Sequence, residues 1–186
     1  MTYASAQHDR MLAGLIIPCS VVGVDLAAGM VRVSDGGEWT SAWVRWHSIA
    51  AGKARHWRSP SLGEQGVLIS PSGEPAQGTF VPGLYGNAGG QPDNREHVEV
   101  WRFDDGGSLV YDWRASTYTI AVPSGSVTIK VGGTEVVVTD SAINVTAGDI
   151  NLTGNVAING QLRVTGDING GGKIIDTAGN TPNHKH

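Results

Sequence analysis

Cysteine is almost missing from this chain. Cys19 is the only one among 186 residues, so no intrachain disulfide is possible. It stands in the apolar stretch LIIPCSVV and reads as a buried small hydrophobe. No apolar run reaches the length of a membrane-spanning helix. The first residues, MTYASAQHDR, lack a charged segment followed by an apolar one, so no secretory signal is expected. A net charge of −4 removes any broad electrostatic case for nucleic acid. Hydrophobic residues make up 40%, which is globular rather than disordered. The sharpest absence is regional. All six tryptophans lie at or before Trp113, and the last aromatic residue is Tyr118. A conventional core as long as the segment after it would use several aromatics. The chain therefore changes architecture near residues 118–125.

What stands in that second half is a repeat. Cut every six residues from Gly148, the chain reads GDINLT, GNVAIN, GQLRVT, GDINGG, GKIIDT. Glycine recurs at 148, 154, 160, 166 and 172. An apolar residue follows two positions later each time: Ile150, Val156, Leu162, Ile168, Ile174. A second column, Leu152, Ile158 and Val164, ends where Gly170 and Asp176 replace it. Apolar residues at i and i+2 share one face of a β-strand, and glycine permits a bend between strands that a Cβ would obstruct. Upstream, SVTIKV, TEVVVT and SAINVT carry the same alternation at looser spacing. The region from about 120 to 176 is thus a string of very short strands.

One chain cannot hide the apolar face of such a string. In a left-handed parallel β-helix a single chain supplies every side of the coil, and five hexads make fewer than two coils. In a triple-stranded β-helix three chains wind together around a narrow aliphatic core. The lack of aromatics favours the second. Each buried Val, Leu or Ile would contribute roughly 1.5–3 kcal/mol, so an intertwined trimer should unfold slowly and resist denaturant.

Residues 12–90 read as an all-β domain. LAGLIIPCSVVGVD and MVRVSD form a strand pair with its turn at VDLAAG. EWTSAWVRWHS places Trp39, Trp43 and Trp46 in one strand, and GVLISPSGEPAQGTFVPGLYG gives two more. About five short strands with frequent turns suggest a small barrel such as an OB-fold. NAGGQPDNREH reads as a linker, and VEVWRFDDGGSLVYDW as a hairpin turning at DDGG. The expected organisation is an OB-fold collar over 1–90, a linker and hairpin over 91–118, a trimeric β-helix shaft over 119–176 and an apex over 177–186.

The run WTSAWVRWHSIAAGKARHWRSPSLGEQGVLISPSGEPAQG resembles the N-terminal domain of phage baseplate assembly protein V. The matching features are Trp43 and Trp46, the segment with Ala51, Gly52, Arg55 and Trp57, then Gly63-Glu64-Gln65, then Ser70-Pro71-Ser72-Gly73. A β-helical tail ending in His-x-His extends the resemblance over nearly the whole chain. It implies an all-β homotrimer, the central spike of a contractile phage tail or of an R-type pyocin. Such a spike would dock on the baseplate hub through its N-terminal domain and pierce the target outer membrane on sheath contraction. It would be made in the bacterial cytoplasm and act at the tip of a virion or tailocin baseplate. It would use no small-molecule substrate and no nucleic acid.

The resemblance also implies that His184 and His186 chelate iron on the threefold axis. Two imidazoles from one chain are too few for a metal, but three chains converging supply six nitrogens. Six suit an octahedral ion, whereas zinc prefers four ligands; imidazole accepts several metals, so geometry selects. The expectation is one iron per trimer, tying the apex. The plain alternative is a frayed terminus.

Rival functions are weaker on the residues. Hexapeptide repeats also build acyltransferases with a catalytic histidine, but no histidine lies inside this repeat. GDINGGGK has Asp167 where a phosphate-binding loop needs glycine, and Ile174 where it needs a hydroxyl. KARHWR, with Lys53, Arg55 and Arg58 around His56 and Trp57, would suit single strands on an OB-fold; a solvated loop or an assembly contact fits the acidic chain better. Glu64, Asp104 and Asp105 are the candidate acids, and turn chemistry accounts for the two aspartates. The sequence therefore points to a structural protein with no catalysis, either a piercing spike or a passive plug that nucleates the hub.

Overall fold

A computed structural model describes residues 3–172. It comprises two compact units, one ending at Pro123 and one beginning at Ser124.

The first unit opens with a helix, α1 (Tyr3–Ala13), that buries none of its residues. Its sequence, YASAQHDRMLA, carries no apolar periodicity to announce it. Five strands follow: β1 (Ile16–Asp25), β2 (Met30–Ser34), β3 (Val44–Trp46), β4 (Gln65–Ile69) and β5 (Thr79–Leu84). They close into a barrel in the order β1-β2-β3-β5-β4, with β4 pairing back onto β1. All pairs are antiparallel except β3 and β5, which run parallel through Arg45–Thr79 and Trp46–Phe80. Cys19, Val21, Val31, Val33, Val44, Leu68 and Phe80 fill the interior. Burial pushes the Cys19 thiol up to about 11, as expected of a buried small hydrophobe.

Two local departures from simple alternation have visible causes. A bulge between Val21 and Gly23 inserts Val22 into β1, so Val22 faces out while Val21 and Val24 pack inward. The strand expected across Trp39, Trp43 and Trp46 is confined to Val44–Trp46. Ahead of it the buried Ser41 takes over the ladder. Its hydroxyl accepts from the Val33 amide at 3.0 Å and donates to the Ala42 carbonyl at 2.7 Å. Trp43 is thereby turned outward, with Arg32 5.3 Å over its ring.

The same unit holds a three-stranded meander of β6 (Val98–Arg102), β7 (Ser108–Asp112) and β8 (Thr117–Ala121). The DDGG turn falls where the sequence placed it, with Phe103 and Gly107 bonded across it. β8 spans the boundary expected at 118/119 and remains in the first unit.

The second unit begins with another meander: β9 (Val127–Val131), β10 (Thr134–Val138) and β11 (Ile143–Thr146). These are the three alternating stretches read from the sequence. Residues 147–172 carry the hexads and form no strand. A strand needs a partner for its N–H and C=O groups, and among the described residues none pairs with this segment.

Candidate assembly surfaces

In β9–β11, residues opposite one another share a face. Val127, Val138 and Ile143 form one cross-strand row, and Ile129, Val136 and Val145 form the next. Six aliphatic side chains therefore make one continuous face. Behind it lie Thr128, Asn144, Lys130, Glu135 and Thr146, with Val137 the one aliphatic. The aliphatic face is left open: Ile129 is 64% exposed and Ile143 71%. The hexad columns are equally bare, from Ile150 and Leu152 through Val164 to Ile168. No described residue beyond Ser124 is buried. A unit with so much apolar surface and no interior needs a partner to bury it.

A second exposed face lies on β6–β8. Glu99, Tyr111 and Tyr118 form one row and Trp101, Leu109 and Ile120 the next. Glu99, Trp101, Leu109, Tyr111 and Tyr118 line a shallow hollow of about 300 Å³. Glu99 accepts from the Trp101 indole N–H at 3.1 Å. The His56 ring from the barrel loop meets Trp101 edge-on, with centroids 6.0 Å apart.

Within the KARHWR segment Arg58 is not a free cation. Arg58 donates from both terminal guanidinium nitrogens to the Glu64 carboxylate, at 2.9 and 2.6 Å. That bond, outweighing desolvation, raises the Arg58 pKa. For Glu64, burial works to raise the pKa, but the bonds from Arg58 and the Ser61 amide hold it below the usual carboxylate range. Trp57 leans on Trp46 with ring centroids 5.5 Å apart. Glu64 is thus paired and does not join Asp104 or Asp105. Asp105 accepts from the Gly107 amide at 2.9 Å, as a turn aspartate does.

Sequence reasoning overlooked a charged cluster at the linker. Asp93 pairs with Arg95 at 2.7 Å, and Arg95 and His97 stand 3.6 and 3.7 Å from Asp112. Asp112 also accepts from the Ala115 and Arg114 amides, both at 2.9 Å. The cluster pins the linker to the end of β7. Asp93, Arg95 and His97 stand at alternate positions along the linker, but Asp112, which faces the last two, lies on β7 and only the fold brings it there. Among the described residues no group of three or more His, Cys, Asp or Glu is arranged to hold a metal. His184 and His186, the expected ligands, lie outside the described residues.

Comparison with known proteins covers both units. Residues 17–85 match the family of the type VI secretion system and phage-baseplate injector OB domain. Residues 99–170 match the Gp138 beta-helical trimerization domain. The chain is also similar to the spike protein of Escherichia phage P2, at 29% identity over 207 aligned positions. That alignment covers all of this chain and 93% of the relative.

Proposed function

From a chain that is a structural baseplate spike, built of an injector OB domain and a β-helical trimerization domain, we propose that three copies form a rigid needle that pierces the target outer membrane. The observation that carries this reading is the second unit's want of an interior: its described residues expose every aliphatic column and bury none. Those columns hold about thirteen Val, Leu and Ile residues, each worth roughly 1.5–3 kcal/mol when buried. Three chains sharing them gain far more than one chain can, which favours a stiff, slowly unfolding shaft.

The N-terminal barrel is the part that docks on the baseplate hub, and sheath contraction supplies the force. The spike adds shape and stiffness and performs no catalysis. At the apex, His184 and His186 from three chains would hold one iron, whose role is to tie the ends. The fit rests on the chemistry of the donor set, six imidazole nitrogens for an octahedral ion. The particle is a phage or a tailocin of the same build.

Deleting residues 177–186 tests piercing against a passive hub plug. A piercing spike predicts normal particle assembly with reduced killing or infection. Unchanged killing by normally assembled particles would establish the plug and sink piercing. The mass of the untagged protein in solution provides the prior check, with three chains expected.

A further inference from the structure

The hexads have a weakness as a trimer interface: they repeat. Sliding one chain by six residues along another puts Gly154 in place of Gly148, and Val156 and Ile158 in place of Ile150 and Leu152. Glycine still meets glycine and aliphatic still meets aliphatic, and only a terminal repeat loses contacts. Glycine-rich repeats of this kind specify register weakly. The described hexads form no ladder within the chain, so their register is a choice made between chains.

The β9–β11 meander has the opposite character. Its backbone pairing is completed within one chain, from Val127–Val138 to Glu135–Thr146. Two unlike turns set that pairing. One is the Gly132-Gly133 hairpin, with Gly132 at φ +58°. The other spans Thr139–Ala142, where the Thr139 hydroxyl accepts from the Ala142 amide at 3.0 Å. The aliphatic face is therefore formed before any partner arrives. Among the described residues it occurs once, so it offers no equivalent position one repeat away. Sliding by one hexad moves two such faces out of register with one another.

Resting on the trimeric reading above, we infer that the β9–β11 face is where three copies of this chain first meet, and that it sets the register in which the hexads then pair. The occupant of the face is the same face of the other copies. It carries no charge on its two rows, and it lies within the trimerization-domain match over residues 99–170.

The test uses the full chain with a spin label at Gln161→Cys, an exposed position within the hexads. Cys19, buried with its thiol pushed up to about 11, stays unlabelled at neutral pH. Pulsed electron resonance and solution mass are read for this parent, for Ile129→Asn with Val136→Asn, and for Leu152→Asn with Ile158→Asn. The parent should be a trimer with one label distance. The meander variant should be monomeric, or trimeric with two or more distances. The hexad variant should stay trimeric with one distance and unfold faster. A meander variant that keeps the parent's trimer and single distance overturns the inference. So does a hexad variant that loses the trimer. A monomeric parent sinks the trimeric reading itself, and the inference with it.

Discussion

Gly66 of β4 lies directly against the ring of Phe80. A Cβ placed there would stand 2.7 Å from Phe80 Cε2 and would run into the Val81 carbonyl oxygen. The absent side chain is what lets the largest fully buried residue of the barrel seat beneath β4.

Gly66→Ala should therefore destabilise the first unit by about 2 kcal/mol or more, as overpacking does. Phe80→Ala should cost ~3–5 kcal/mol through the cavity it leaves. Gly83→Ala is the comparison: its φ of +98° strains an L residue but no atom stands within 4 Å, so the cost should be about 1 kcal/mol. Calorimetry of the first unit's transition ranks the three. Equal shifts for Gly66→Ala and Gly83→Ala would contradict the packing account.

The first unit should lose stability in acid. Glu64 and Asp112 both sit below their ordinary pKa in the folded chain. Hydrogen bonds from Arg58 and Ser61 hold Glu64 down against desolvation. For Asp112 the Ala115 amide leads, working against desolvation with the Arg114 amide, His97 and Arg95. A depressed carboxylate contributes stability above its unfolded value, roughly pH 4, and loses it as pH falls through the folded value. Glu64→Gln should cost about 1 kcal/mol at pH 7, since Arg58 is half exposed, and should flatten part of the acid dependence. Denaturant midpoints at pH 7 and pH 3 measure both; an unchanged slope in the variant would rule Glu64 out.

Shaft substitutions should act in triplicate. Leu162→Ala removes a hexad side chain from each copy, at ~2 kcal/mol or more per chain if the column is buried in the trimer. The half-life in guanidinium should fall by at least tenfold. If the lifetime is the same as the parent's, the hexad columns are not buried.

His184→Ala with His186→Ala should abolish bound metal while leaving the trimer intact. Elemental mass spectrometry on untagged protein should read one iron per three chains in the parent and none in the variant. Metal retained by the variant would move the site elsewhere.

Much of the fold was legible because it is local. The DDGG and VDLAAG turns, the alternation in β2 and β9–β11, and the hexad columns all sit within a few residues of the signal that announces them. The limit of β3 was not legible, because the buried Ser41 hydroxyl replaces a ladder bond only once β2 lies beside it. Nor was the Arg58–Glu64 pair, since two charges in a loop have no period to betray them. The bulge at Val22 hid for a related reason: two adjacent valines read as one face or the other until a partner strand fixes which one leaves.

The sequence by itself determined the change of architecture after Tyr118, the six-residue repeat and the need for partner chains. Each follows from composition and spacing along one strand, where side-chain direction alternates by covalent geometry. Tertiary structure alone decided that β4 closes on β1, that β3 and β5 run parallel, and that six aliphatic residues of β9–β11 share one uninterrupted face. Those are pairings between segments, and pairing is chosen by which backbone groups and side chains satisfy one another in space.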